Sequence, residues 1–199
     1  GLAVLFLSRI NGLLYIMNSI SDEDLVGRSV RKLLLNSVSF LFFFLYFVIS
    51  LLLSSGFAAD RATGTITIEK YKYLYNFAEM PVVSILFLLG VAGVLYGIGI
   101  SLFRKSLGGI WFSGSGTVLS VFSLFLVAGF NGTSFYPSSY ELQSSLTISN
   151  ASSSLFTLKT MMYVSFIIPF VLAYIWYAWK AINNEKITPE EMNSEEHKY

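Results

Sequence analysis

The chain has no cysteine. That excludes disulfides, thiolate metal sites, iron–sulfur clusters and covalently attached c-type haem. Histidine is almost as scarce. The single His197 lies in a polar tail with Glu195, Glu196 and Lys198, so no pair of membrane-embedded histidines exists to ligate a b-type haem. None of the five Met has an opposed His. An HExxH pattern, a nucleophile elbow and a phosphate-cradling glycine loop are all missing. Gly108-Gly109 and Gly114-Ser115-Gly116 lie beside an apolar run and read as loop and helix start. Charge is also sparse. Only 13% of residues are Asp, Glu, Lys or Arg, against about 25% in a soluble domain. The net charge of +1 points to neither nucleic acid nor an acidic substrate.

In place of charge there are long apolar runs. Hydrophobic residues make up 54% of the chain, with 18 Phe and 12 Tyr. Five segments stand out, at about 1–20, 34–55, 80–103, 111–131 and 159–182. Each is about 20 residues or more, the length a helix needs to cross a bilayer. In hydrocarbon every backbone N–H and C=O has to be satisfied within the segment, so these are read as helices. The expected fold is therefore an all-α integral membrane protein, a polytopic bundle of five helices over 1–182 followed by a polar cytoplasmic tail over 183–199. The chain starts at Gly1-Leu2-Ala3-Val4, already inside an apolar run with no signal-peptide pattern. It reads as the C-terminal part of a longer protein.

Lys and Arg orient the bundle. One side has Arg28, Arg31 and Lys32 in a loop read from Asp22 to Lys32, Arg104 and Lys105 in a second connection, and Lys180, Lys186 and Lys198 at the end. The other side has Arg61, Lys70, Lys72 and Lys159, spread over two longer loops. The positive-inside rule places the first set in the cytoplasm. Trp111, Trp176 and Trp179 then mark the inner boundary, and Tyr71, Tyr73, Tyr75, Tyr136 and Tyr140 the outer one. Gly90, Gly93, Gly97 and Gly99 line the third span. Gly93 and Gly97 form a small-xxx-small pair that admits another helix, from this chain or from a partner.

A few polar residues invite a functional reading. Arg9 is the one charged residue near the middle of a predicted span. It either snorkels to the outer interface or faces protein in a proton, haem-edge or interface role. Asn11 and Asn18 share its segment, Asn11 on a different face. Glu79, before Met80-Pro81, suits the start of the third helix as a capping acid. Lys159 falls in the first turn of the last predicted helix, where the helix dipole disfavours a cation. It faces either headgroups or an anionic group of another subunit. Ser154 or Thr157 is expected to cap that helix. Pro169 interrupts it, and the nearby Ser165 is a candidate to re-satisfy the freed backbone groups. Asn131-Gly132-Thr133 and Asn150-Ala151-Ser152 match the glycosylation sequon and are read as polar turns.

The segment from Gly129 to Lys159 is rich in Ser, Thr and Asn. It contains Tyr136-Pro137-Ser138-Ser139, Ser145-Leu146-Thr147-Ile148, Asn150-Ala151-Ser152-Ser153-Ser154 and Thr157-Leu158-Lys159. This ordered series resembles the long outer loop before the last helix of subunit II of cytochrome bd-type quinol oxidases. Ser8-Arg9-Ile10-Asn11-Gly12-Leu13-Leu14-Tyr15 with the following acidic-Leu-x-x-Arg stretch is similar to the family's fourth helix and its exit. Asn76-Phe77 followed by Pro81, and the tail from Trp179 to Glu191, also look like family patterns.

The resemblance implies an eight-helix parent, of which these would be the last five helices, in a bacterial cytoplasmic membrane. It implies a haem-bearing subunit I as partner, with haems b and d and the quinol site on that partner. This chain would be a structural subunit that contributes to a proton route. The family's acidic proton-route residues belong to its first helices, so none is assigned here, and no catalytic, cofactor or metal residue is assigned to this chain. Read without the resemblance, the residues also allow half of a secondary transporter or a non-catalytic membrane scaffold.

The cysteine-free background provides a clean test of sidedness. A single Cys at Ser106 or Asn183 should be labelled only from the cytoplasmic side, and one at Ser55 or Ser139 only from outside. Outside labelling at Asn183 would invert the arrangement. For the outer loops, Lys159→Ala is expected to lower recovery of a haem-containing complex, with Lys72→Ala as the silent comparison.

Overall fold

The computed structural model describes residues 1–60 and 63–182. The predicted tail over 183–199 lies outside the described residues. Five segments are long and apolar enough to span a bilayer. They are α1 (Leu2–Ser19), α2 (Glu23–Leu53), α4 (Pro81–Arg104), α5 (Gly109–Gly129) and the broken last span formed by α7 (Leu155–Ser165) and α8 (Ile168–Ile182). The protein is an all-α polytopic membrane protein. Between the spans lie a hairpin of β1 (Gly56–Ala59) and β2 (Ile66–Glu69), helix α3 (Lys72–Glu79) and a one-turn helix α6 (Ile148–Ala151).

The stretch expected as a loop from Asp22 to Lys32 is helix almost throughout. α2 begins at Glu23, and only Ile20–Asp22 separate it from α1. The Asp22 carboxylate caps it, accepting from the Asp24 and Leu25 amides at 2.8 and 3.0 Å. Glu23 and Asp24 sit in the first turn, where the helix dipole favours acids. The charged segment is thus the polar extension of a spanning helix.

α1 and α2 meet through spacing. Ile10, Leu14 and Met17 recur at helical intervals on one face of α1, packed with Leu33 and Phe40 of α2 and Val94 and Ile98 of α4. Polar residues on the buried face of α2 satisfy themselves. Asn36 donates to the Lys32 carbonyl at 2.6 Å and Ser37 to that of Leu33 at 2.7 Å.

α4 and α5 approach still more closely, because small residues face each other along both. Gly90, Gly93, Gly97 and Ser101 of α4 oppose Ser120, Gly116, Ser113 and Gly109 of α5. A Cβ on Gly116 would lie 2.5 Å from the Gly90 carbonyl oxygen and 2.7 Å from the Val94 nitrogen. One on Gly97 would lie 2.5 Å from the Gly109 carbonyl oxygen. The small-xxx-small pair therefore serves contact within the chain. Lipid gives no hydrophobic drive for helix association, so this backbone-to-backbone packing is what holds the pair. The turn between them uses Lys105 at φ 50, with the Ser101 hydroxyl donating to the Ser106 carbonyl at 3.0 Å.

The last span stands apart. No residue of Leu155–Ile182 is buried within the structure. Its aromatic link to the bundle is Trp179, with ring centroids 5.5 Å from Trp111 and 6.4 Å from Tyr15.

Backbone contact at Gly116 makes a direct test. Gly116→Leu forces overpacking, which in well-packed sites costs about 1–3 kcal/mol and more where backbone is met. Gly99 has nothing within 4 Å of its would-be Cβ, so Gly99→Leu should change little. Thermal unfolding of both variants in one mild detergent should show Gly116→Leu alone melting early.

Candidate functional site

The hairpin, α3 and residues 130–154 form a cap over one end of α2, α4 and α5. Asn76 is its centre. This side chain is wholly buried on α3. Its amide donates to the Val127 carbonyl of α5 at 2.8 Å and to the Thr133 hydroxyl at 2.7 Å. Its carbonyl accepts from the Asn131 amide at 3.2 Å. Asn131 also donates to the Glu79 carboxylate. One side chain thus ties α3 to the end of α5 and to the start of the cap segment. Asn131 sits at φ 59 and Gly132 at φ 65, left-handed conformations that Asn and Gly accept most readily.

Glu79 does not cap α4, contrary to the sequence reading. It is the last residue of α3, Met80 is the N-cap of α4 without a side-chain bond, and the Glu79 carboxylate is used by Asn131. Tyr73 of α3 is half-buried, and desolvation raises its phenol pKa.

The motif-bearing segment folds on its own chain. Ala58 bridges Thr133 beside β1, and Tyr136 pairs with Leu146. The Ser134 hydroxyl donates to the Leu146 carbonyl at 2.8 Å, and the Ser138 amide to the Ser145 hydroxyl at 3.0 Å. Ser138 in turn accepts from the amides of Tyr140 and Glu141. Thr147 and Asn150 form a reciprocal capping box around α6, and Asn150 also donates to the Ser145 carbonyl at 3.0 Å. The Ser152 hydroxyl returns to the Ile148 carbonyl. Ser154 caps α7 through the Thr157 amide at 3.3 Å, and Leu158 closes the first turn onto the Ser154 carbonyl. Pro137, Ser139 and Ser153 lie at the exposed or half-exposed turns between these bonds. The order of this segment thus comes largely from partners within the chain.

Gln143, absent from the sequence argument, clamps the hairpin to the segment. Its amide exchanges both bonds with the Ile66 backbone, each at 2.9 Å. The hairpin itself was legible only weakly, in the alternation Thr65-Ile66-Thr67-Ile68 after Gly64.

The structure does not bring the other candidate residues together. Arg9 is exposed on α1. Asn11, on a different face, crosses to α5, accepting from Ser113 at 2.6 Å and donating to Thr117 at 3.3 Å. Lys159 is exposed on α7. The helix begins at Leu155, so Lys159 falls in the second turn, beyond the strongest reach of the dipole. Lys72 is buried beside Gly56 and pairs with Glu69 at 3.2 Å, which disqualifies it as a silent comparison. Among the described residues no group of His, Cys, Asp and Glu could hold a metal. An apolar cleft of about 980 Å³ lies among α1, α2, α4 and α5, with Tyr73 at its edge.

Loss of the Gln143 clamp should loosen the cap without unfolding the spans. Each neutral hydrogen bond is worth about 0.5–1.5 kcal/mol, so Gln143→Ala should speed amide exchange over 56–69 and 136–146. Tyr140 is 96% exposed, and Tyr140→Ala should leave exchange unchanged. Equal protection in both variants would show that the clamp is idle.

No curated protein matches the chain. The model of one family, described as cytochrome bd terminal oxidase subunit II, matches residues 1–182, all the spans and the cap included. The chain belongs to the cytochrome bd terminal oxidase subunit II family.

Proposed function

We propose that this chain is a haem-free membrane subunit of a quinol-oxidising, dioxygen-reducing terminal oxidase, and that it supports the subunit carrying haems b and d and the quinol site. The family match over residues 1–182 carries this reading. Two features of the chain support the division of labour. Its one histidine is His197, outside every apolar segment, so the spans offer no imidazole to a haem iron. No residue of its last span is buried against the rest of the chain, which leaves most of that helix open to a neighbour. Arg9 and Lys159 are exposed, and each is proposed as a contact for a partner's anionic group.

The proposed setting is a bacterial cytoplasmic membrane, with the cap outside and the tail in the cytoplasm. The Lys and Arg distribution supports that orientation. The transporter alternative requires discontinuous helices around a midplane site. Only the last span is broken, and its break is exposed rather than enclosed by the other four.

Purification decides between these. Co-expressed with the haem-bearing subunit, the chain should co-purify with b- and d-type haem absorbance, whereas alone it should carry no stoichiometric haem. A haem spectrum from the isolated chain that disappears on mutating a residue in its spans would overturn the reading. Lys159→Ala should lower recovery of the haem-containing complex, while Lys70→Ala, at an exposed position of the cap, should not. Equal recovery would make Lys159 an ordinary interfacial lysine.

A further inference from the structure

The last span is broken at its middle. α7 ends at Ser165 and α8 starts at Ile168, with Pro169 in its first turn. Pro169 has no N–H to offer the Ser165 carbonyl. Around the break the amides turn to nearer carbonyls. Phe166 donates to Tyr163 at 3.2 Å and Ile167 to Val164 at 3.0 Å. Phe170 and Val171 both donate to Ile167, at 3.1 and 3.3 Å. The Ser165 and Phe166 carbonyls and the Ile168 amide are left without a hydrogen-bond partner among the described residues. Ser165 does not repair this as the sequence suggested, because its hydroxyl donates to the Met162 carbonyl at 2.6 Å. Phe166 and Ile168 are 65% and 51% exposed, so the break faces away from α1–α5.

Lipid tails cannot satisfy these groups. Non-helical backbone at membrane depth is tolerated only where protein buries it or water reaches it. We propose that the break at Ser165–Ile168 is a docking point for a second membrane subunit, which presents a hydroxyl or carboxamide side chain to the Ser165 and Phe166 carbonyls. The chemistry selects that side chain. A hydroxyl or amide donates to a carbonyl and also accepts from the Ile168 amide. Lys and Arg only donate, and they bring a charge to mid-bilayer at further cost. The exposed Phe166 and Phe170 offer apolar contact around the polar spot. This inference rests on the reading of the chain as a partner-holding oxidase subunit.

The sequence supplies its own spectroscopic filter. Phe166-Ile167 is the one Phe–Ile step in the chain. Labelling with ¹³C′-Phe and ¹⁵N-Ile therefore isolates the Phe166 carbonyl in a ¹³C–¹⁵N-filtered solid-state NMR spectrum. The whole subunit, in lipid without its partner, should show that carbonyl at an unbonded position. In the assembled oxidase it should move downfield, with no magnetisation transfer from water. If the haem-containing complex forms and the resonance does not move, the docking inference fails and the oxidase reading stands. A resonance already downfield in the subunit alone, or a shift accompanied by transfer from water, overturns it equally. If the haem-bearing subunit never joins, the oxidase reading falls and the docking inference falls with it.

Discussion

A backbone amide or carbonyl in hydrocarbon can bond only to protein, and the rest of this structure follows from that constraint. An unsatisfied group costs several kcal/mol there, more than any single packing contact returns. Four of the spans meet the demand with unbroken helix. The helix satisfies its own backbone and leaves none of it for neighbours, so association falls to shape and to a few side-chain bonds such as those of Asn11 to Ser113 and Thr117. The glycines and serines of α4 and α5 provide it by letting two backbones touch.

Where the chain leaves the bilayer, the same demand is met by side chains. The cap has little regular structure of its own, yet its backbone is well bonded. Gln143 stands in for a strand partner at Ile66. Thr147 and Asn150 close a one-turn helix that could not persist unaided. Asn76 joins three separate segments through one buried amide. The richness in Ser, Thr and Asn that makes this segment resemble its family is a hydrogen-bonding inventory for folding on itself and on α3. It gives the cap a fixed shape. The last span alone leaves the demand unmet, at Ser165–Ile168. Among the described spans, the one with no buried residue is also the one with unpaired backbone at its middle.

The five spans were legible because apolar runs about 20 residues long admit few other structures. The start of α2 was not, because charges between Asp22 and Lys32 look like loop until Asp22 is seen capping a helix that leaves the membrane before it ends. Glu79 was misread for a related reason. A carboxylate beside a helix start suits the dipole, but Asn131, far away in sequence, took it first. The pairing of Gly93 and Gly97 with Gly116 and Gly109 was left open by the sequence, because a small-xxx-small face does not name its partner.

By itself the sequence determined the membrane class, the number of spans, the absence of haem-ligating histidine within them, and the family motifs. These depend on composition and local order, which need no partner to be read. Only the tertiary structure decided that the motif segment is tied to the β-hairpin, that Lys72 is buried against Gly56, and that the last helix touches the bundle through Trp179 and has a break no residue of its own repairs. Each of those depends on which distant groups meet, and hydrogen bonds between residues tens of positions apart leave no periodic trace in the chain.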